Sequence, residues 1–219
     1  DPIRGEILEA FARTLDHGEF CLGTEVSNFE TGFAAVQGLS CVVGVGSGTE
    51  ALHLIACALE LGPEDEVIVP AFTFIASAWL PEYVGAKLVF ADIDPETYTI
   101  DPKSIESNAT EKTKAIVATH LFGLPADMDS IQRIADQLGA KVVEDAAQAH
   151  MAKYKGRPVG EIGDAGAFSF YPTKNMCTGE GGMVTTNDKD LAEKMFSIRN
   201  HGRPGSTLGT YSYERLGLN

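Results

Sequence analysis

The sequence predicts an α/β fold in three layers (α/β/α), with a mostly parallel sheet between two layers of helices. Short apolar strands alternate with amphipathic helices along the 219 residues, a pattern typical of parallel sheets that are covered on both faces. Glycine-rich or polar segments follow several of these strands, at the edge where ligands bind in open α/β sheets. The length suits one large domain, and the sequence contains no internal repeat and no linker.

The elements up to residue 90 are predicted from apolar runs and helical spacing. The predicted strands are Cys41–Val45, 66–69 and 87–90. Apolar residues on one face predict a helix over 48–61, which Gly62 ends, and a second helix over 74–84. Trp79 lies inside this second helix, and we expect it to be part of the core.

The same alternation continues to residue 199. The predicted strands are 114–118, 141–144, 166–170 and 183–186, and the predicted helices are 129–138 and 190–199. Asp129, with Gln132 three residues later, is a candidate capping box for the first of these helices. Residues 202–215 are rich in Gly, Ser, Thr and Tyr, which predicts a surface excursion.

Composition excludes several classes of partner. A net charge of −14 and a pI near 4.7 argue against nucleic acid or an anionic membrane, because no basic stripe can neutralise phosphates. No apolar run approaches the roughly 18 residues that span a bilayer, and we expect no signal peptide because residues 1–15 are charged and amphipathic. We therefore expect a cytoplasmic protein. The chain begins without Met and ends at Asn219, so we expect both ends to be cuts in a longer protein.

Cysteine and histidine spacing predicts neither disulfides nor a metal site. The four cysteines are widely spaced and fit free thiols in a reducing compartment: Cys21, Cys41, Cys57 and Cys177. We expect Cys41 and Cys57 to fill the core and Cys177 to have a packing role. Four histidines lack metal-ligand spacing and are expected to be structural or surface residues: His53, His120, His150 and His201.

Lys174 and Asp145 carry the main chemical signal. Lys174 follows the apolar strand 166–170 and precedes a cluster of glycines, and Asp145 follows the buried strand 141–144. A buried carboxylate needs a cation, which the protonated ring nitrogen of pyridoxal phosphate (PLP) can supply. A lysine and an aspartate at neighbouring strand ends are what a Schiff-base site for PLP requires. Taken singly, Lys174 can be a surface lysine, and Asp145 can be a helix cap or half of a structural ion pair.

Gly46-Ser47-Gly48-Thr49 leads directly into a predicted helix. Small residues at a helix start let backbone N–H groups approach an anion such as a phosphate. The alternative is an ordinary capped helix with Ser47 or Thr49 at the N-cap. A dinucleotide site is disfavoured because the third glycine comes one position early for G-x-G-x-x-G and no acidic residue follows the next strand. A Walker A loop is excluded, since no Gly-Lys-Ser/Thr occurs.

Three further residues are candidates for contacts with a planar cofactor. Gln148 can reach a ring hydroxyl if the backbone turns helical after Asp145. Phe74 lies at a strand-to-helix corner, where it can either stack on a ring or fill the core. Ser169 faces away from its aromatic neighbours in the strand and can contact a phosphate or only a backbone group.

Over nearly all 219 residues, the chain resembles the DegT/StrS-type PLP-dependent aminotransferases, which have fold type I and act mainly on keto sugars attached to nucleotides. The resemblance lies in co-occurring motifs in the same order. These are Gly46-Ser47-Gly48-Thr49-Glu50-Ala51-Leu52, Pro70-Ala71-Phe72-Thr73-Phe74, His120-Leu121-Phe122-Gly123, Glu144-Asp145-Ala146-Ala147-Gln148, Phe168-Ser169-Phe170-Tyr171 with Lys174, and Thr178-Gly179-Glu180-Gly181-Gly182.

The resemblance implies a role for each candidate. Lys174 is the lysine that holds PLP covalently, and Asp145 pairs with the ring nitrogen. The remaining implied contacts are the ring hydroxyl for Gln148, the ring face for Phe74, and the phosphate for Gly48, Thr49, Ser169 and, from a neighbouring subunit, Asn219. Residues 1–219 are then the PLP-binding large domain, without the smaller C-terminal domain of the family, in a homodimer with shared active sites.

The sequence therefore predicts an aminotransferase that moves an amino group from glutamate to a nucleotide-linked keto sugar in amino-sugar or polysaccharide biosynthesis. His120-Leu121-Phe122-Gly123 and the glycine cluster favour a 4-keto sugar. Dehydratase relatives replace the Schiff-base lysine with histidine, so Lys174 favours transamination. The alternatives are a PLP-fold regulator or binding module, a relative acting on a cyclitol or an aromatic amino-acid precursor, and, least supported, a nicotinamide oxidoreductase.

Overall fold

A seven-stranded sheet runs through the centre of the molecule, with helices on both of its faces. A computed structural model describes residues 2–204 and 212–218. The strands in chain order are β1 (Cys41–Val45), β2 (Glu66–Pro70), β3 (Lys87–Ala91), β4 (Thr113–Thr119), β5 (Lys141–Asp145), β6 (Lys153–Tyr154), β7 (Arg157–Pro158), β8 (Ala165–Ser169) and β9 (Gly182–Thr186). The helices are α1 (Arg4–His17), α2 (Thr24–Gln37), α3 (Gly48–Ala58), α4 (Ile75–Tyr83), α5 (Pro102–Asn108), α6 (Met128–Leu138) and α7 (Lys189–Arg199), with a 3₁₀ turn over Leu121–Gly123.

The strand order confirms the predicted, mostly parallel sheet. The order is β1-β9-β8-β5-β4-β2-β3. The pairs β8–β5, β5–β4, β4–β2 and β2–β3 are parallel, whereas β9 is antiparallel to both of its neighbours. β6 and β7 form a separate two-stranded hairpin. The carboxyl ends of all strands except β9 therefore meet at one edge of the main sheet.

The alternation of side chains along each strand builds a core on each face of the sheet. One core joins α3, α4 and α7 to strand residues such as Val67, Val69 and Val143. On the opposite face, α5 and α6 pack on residues such as Ile68 and Val142, and Phe33 of α2 packs in a third cluster with β8 and β9. Neighbours in one strand thus belong to different cores, which completes the three predicted layers.

Three helices lie outside the sequence prediction, although each has a terminal signal. α1 and α2 end at Gly18 and Gly38, whose φ angles of 70° and 79° are the left-handed conformation that glycine adopts at helix ends. Asp101 caps α5, and Pro102 occupies its first turn. α1 carries Ile7, Phe11 and Leu15 on one face, but these side chains are exposed and the helix has no buried residue.

The predicted capping box at Asp129 is wrong. α6 begins one residue earlier than predicted, and Asp127 is its N-cap, accepting hydrogen bonds from Ser130 N at 3.5 Å and Ser130 Oγ at 2.6 Å. Asp129 instead pairs with Lys155, and Gln132 donates to Asp136. The same type of side chain, an aspartate two residues upstream, satisfies the helix start.

Several predicted core residues lie closer to the surface. Trp79 is 42% exposed, because α4 buries its other face through Ala76, Ser77 and Leu80. Cys41 and Cys57 are half-buried, and Cys177 is exposed rather than packed.

None of the helices in the two described ranges combines the length and apolar composition that crossing a bilayer requires.

Candidate active site

A cavity of about 480 Å³ lies at the carboxyl-terminal edge of the sheet, within the size range of small-molecule sites. The predicted site residues that line it are Gly48, Thr49, Phe74, Asp145, Gln148, Ser169 and Lys174. These residues come from five separate segments of the chain, so the fold brings together every predicted site residue that it describes. Asn219 lies outside the described residues.

The start of α3 forms one end of the cavity. Ser47 is the N-cap, and its Oγ accepts from Glu50 N at 3.0 Å, while the Glu50 carboxylate accepts from Gly46 N at 2.6 Å. The N–H groups of Gly48 and Thr49 have no partner inside the helix. Ser47 is thus a cap, as the alternative interpretation predicted, and the two free N–H groups still offer an anion site.

Glycine is required where α3 meets β8 and β9. A Cβ atom on Gly48 would lie 2.7 Å from Cβ of Ser169. A Cβ atom on Gly182, at the start of β9, would overlap the carbonyl oxygen of Ser47. Any side chain at either position would push the helix start away from the strands. Both glycines therefore keep the N–H groups of α3 beside the Ser169 hydroxyl.

Asp145, the last residue of β5, is 6% exposed and faces the cavity from the same side of the sheet as α3 and α4. Its Oδ2 accepts from Ser77 Oγ at 2.6 Å and its Oδ1 from Ala147 N at 3.2 Å. No lysine, arginine or histidine among the described residues forms an ion pair with it. Among the described residues, the structure therefore does not support the alternative of a structural ion pair, and the carboxylate can pair with a cation in the cavity.

Lys174 lies in the turn after β8 and is half-buried at the cavity wall. Its backbone N–H donates to Tyr171 O at 2.9 Å, which tightens the turn. The turn closes where Thr178 N donates to Phe170 O at 2.9 Å. Gly179 and Gly181 have φ angles of 87° and 156°, so the predicted glycine cluster allows the chain to return into β9.

Gln148 and Phe74 also line the cavity. The backbone after Asp145 forms a turn rather than the helix that placed Gln148 in the prediction. The Gln148 side chain still reaches the cavity, and its Oε1 accepts from Phe122 N at 2.7 Å, which leaves its NH₂ group as a donor. Phe74 is the N-cap residue of α4 and is 62% exposed, so its ring is not a core residue and its face is accessible.

Glu144, next to Asp145, has a different environment on the other face of the sheet. His120 and Glu144 are both fully buried, with Nε2 and Oε2 2.9 Å apart. Ala126 N donates to His120 Nδ1, which assigns the ring proton to Nε2. Burial by itself raises the pKa of Glu144, but the hydrogen bond and attraction of His120 and the N–H groups of Gly163 and Gly160 outweigh it, so this pKa lies below its ordinary value.

Sequence reasoning missed three linked hydroxyls, of which two line the cavity. Ser77 Oγ contacts Thr73 Oγ1 at 2.9 Å, and Thr73 Oγ1 contacts Thr119 Oγ1 at 3.2 Å. Thr73 and Thr119 line the cavity. The sequence did contain one signal, the lone serine Ser77 in the apolar first turn of α4. A buried hydroxyl needs a hydrogen-bond partner, so a serine there indicates a polar neighbour.

The donor set suits PLP. The cavity combines a lysine amine, a buried carboxylate, an accessible aromatic face, and N–H and hydroxyl donors that converge at a helix start. A Cβ atom on Gly48 would fill the space between those donors. A cofactor with an aldehyde, a basic ring nitrogen, a planar ring and a phosphate has one group for each of these four features.

The sequence profile of the DegT/DnrJ/EryC1/StrS aminotransferase family matches residues 1–219. The chain belongs to this family. PLP dependence is a general property of the family, and its solved members have the fold type I architecture found here. The resemblance carried by the sequence motifs is confirmed.

Similar proteins include enzymes and one regulator. A UDP-N-acetyl-3-dehydro-alpha-D-glucosamine 3-aminotransferase from Acidithiobacillus ferrooxidans is 47% identical over 219 residues, which are 100% of this chain and 58% of the relative. A pleiotropic regulatory protein from Geobacillus stearothermophilus is 47% identical over 220 residues, covering 100% of this chain and 58% of that protein. The crystal structure of DesV from S. venezuelae has a TM-score of 0.93 at 44% identity, over 100% of this chain and 58% of that one. The chain thus spans 58% of the length of these relatives.

Proposed function

We propose that residues 1–219 are the PLP-binding large domain of an aminotransferase that moves an amino group from glutamate to a nucleotide-linked keto sugar. The observation that carries the proposal is the shared cavity of Lys174 and Asp145, which lie 29 residues apart in sequence (174 minus 145). Family membership supports the reaction type. The name of the A. ferrooxidans relative supports a nucleotide sugar as the acceptor.

Each cavity residue has a part in this proposal. When bound, PLP supplies an electron sink for charge at the donor's α-carbon. Lys174 anchors the cofactor through its amine and, once released, carries a proton between the donor's α-carbon and the C4′ position, as general base and then general acid. Asp145 pairs with the protonated ring nitrogen and keeps it charged.

The other residues bind and orient the cofactor. The N–H groups of Gly48 and Thr49 and the Ser169 hydroxyl hold the phosphate. Phe74 covers the ring face, and the NH₂ group of Gln148 donates to the ring hydroxyl. Three expectations stay predictions: the contact of Asn219 with the phosphate, the cytoplasmic location, and a homodimer with shared active sites.

The test of the cofactor site is Lys174→Ala, with Lys103→Ala on the exposed side of α5 as the matched control. Lys174→Ala should abolish the visible absorbance of covalently bound PLP and lower turnover on the order of 10⁴-fold. Lys103→Ala should change neither quantity. Retention of the absorbance band in Lys174→Ala would overturn the assignment of the cofactor lysine.

The acceptor is tested by a screen of nucleotide keto sugars that follows glutamate consumption. The sequence motifs favour a 4-keto sugar, whereas the A. ferrooxidans relative is named for the 3-position, so matched 3-keto and 4-keto sugars on UDP, dTDP and GDP are compared. We expect turnover with the 4-keto sugars to exceed turnover with the 3-keto sugars, and the reverse order would contradict the 4-keto prediction. Cyclitols and aromatic amino-acid precursors serve as the non-sugar arm.

A second candidate function is a regulator that uses the PLP fold as a binding module. The name of the G. stearothermophilus relative favours it. Glutamate-dependent turnover of any keto sugar excludes a purely regulatory role. PLP binding without turnover across the whole screen would favour it instead.

A further inference from the structure

Ser77, a residue without a role in the proposed function, holds the carboxylate of Asp145 from the side of α4. The Ser77 hydroxyl donates to Asp145 Oδ2 at 2.6 Å. Ser77 is 0% exposed and Asp145 6% exposed, so water does not compete for this hydrogen bond. Hydrogen bonds to carboxylates in such dry surroundings are among the stronger ones in proteins.

Two further hydroxyls extend from Ser77 to the cavity. Ser77 Oγ lies 2.9 Å from Thr73 Oγ1, which lies 3.2 Å from Thr119 Oγ1. Each hydroxyl has one proton to donate. Because the proton of Ser77 goes to Asp145, Thr73 donates to Ser77, and Thr119 then donates to Thr73. The three hydroxyls form one directed chain that ends on the carboxylate.

We infer that Ser77 is a positioning residue for Asp145: through this hydroxyl chain it holds the carboxylate in the orientation that pairs with a cationic ring nitrogen in the cavity. The inference rests on the proposed function, because the ring nitrogen is that of the proposed cofactor. Ala147 N donates to Oδ1, so each carboxylate oxygen has one donor. About two of the four acceptor positions of the carboxylate stay open towards the cavity.

The position of Ser77 in α4 explains why this helix matters to the site. Its first turn carries both Ser77 and, at the N-cap, Phe74. Phe74 lines the cavity together with Thr73 and Thr119. A single packed helix start therefore sets the aromatic face of the cavity and the orientation of the Asp145 carboxylate.

The test measures the Kd of PLP by absorbance titration of the purified protein, with Ser77→Ala as the variant and Ser197→Ala as the matched control. Ser197 is 3% exposed, and in the described part of the chain its hydroxyl has no hydrogen-bond partner. We expect Ser77→Ala to weaken PLP binding about tenfold and Ser197→Ala to leave it unchanged. Thr73→Val, at nearly constant volume, should weaken it about threefold.

A double-mutant cycle with Asp145→Asn distinguishes positioning from a general packing role. If Ser77 acts through Asp145, then Ser77→Ala should cost less than about twofold in the Asp145→Asn background. If Ser77→Ala does not fold, a double-mutant cycle of Thr73→Val with Asp145→Asn replaces it. Equal losses in both backgrounds, or wild-type affinity in Ser77→Ala, would overturn the inference. If the wild-type protein does not bind PLP, the proposed function fails and the inference fails with it. If the wild-type protein binds PLP but the variants behave as in the preceding outcomes, only the inference fails.

Discussion

The two faces of the sheet carry very different carboxylates at the end of β5. Glu144 continues the face of Val142, over α5 and α6, and Asp145 continues the face of Val143, over α3 and α4. The two residues are adjacent in sequence and both are acidic. Their surroundings, however, leave them with different capacities for binding.

Donors from the protein itself occupy the acceptor positions of the Glu144 carboxylate. Its Oε2 accepts from His120 and Gly160 N, and its Oε1 accepts from Ile162 N and Gly163 N, at 2.7–2.9 Å. These four donors fill the roughly four acceptor positions of a carboxylate. Glu144 therefore ties the loop before β8 to the end of β4 and has no capacity for a ligand.

Among the described residues, the Asp145 carboxylate accepts hydrogen bonds from only two donors, Ser77 Oγ and Ala147 N, and it faces the cavity. Open acceptor positions, rather than burial or charge, therefore separate a carboxylate that can bind a ligand from one that only holds the fold together. Matched isosteric variants of the two residues test this difference.

The largest expected effect is on turnover. Asp145→Asn keeps the shape of the side chain but removes the charge that pairs with the ring nitrogen, so we expect kcat to fall about 10³-fold. Glu144→Gln should retain most of the turnover of the wild type below its melting temperature. Steady-state kinetics of both variants measure this, and equal losses would contradict the assignment of separate roles.

The second effect, on stability, should run in the opposite order. In Glu144→Gln, the side-chain NH₂ group replaces one carboxylate oxygen and must face the two buried N–H donors that bound this oxygen. Because a donor then faces donors, we expect the free energy of unfolding to fall by about 3 kcal/mol. Asp145→Asn, beside the cavity, should lower it by less than about 1 kcal/mol. Urea denaturation of the cofactor-free proteins gives both values. A larger loss in Asp145→Asn would reverse our interpretation.

The smallest effect is a pH dependence. The pKa of Glu144 in the folded protein lies below its ordinary value of 4.5. A lowered pKa contributes stability that is present above pH 4.5 and is lost as the pH falls through the folded-state value. The stability difference between wild type and Glu144→Gln should therefore shrink between about pH 5 and pH 3. A difference that stays constant over this range would show that Glu144 is not ionised in the folded protein.

Local patterns were sufficient to predict most of the sheet and the principal site residues. Apolar runs located the seven strands of the main sheet to within one or two residues, and strand ends located Asp145 and Lys174. Short-range cues did not identify α1, which has apolar residues at helical spacing but no buried residue. They also failed at Ser77, since its partner lies 68 residues away and no local pattern reports such a contact.

The sequence by itself determined the order of elements, the parallel sheet and the fact that Glu144 and Asp145 point to opposite faces, because side chains alternate along a strand. Only the tertiary structure decided which of the two acids meets the cavity. The packing of α3 and α4 on one face brings hydroxyls and helix N–H groups to Asp145. On the other face, His120 and the loop before β8 enclose Glu144. Such contacts join distant segments, so they exist only in the folded chain.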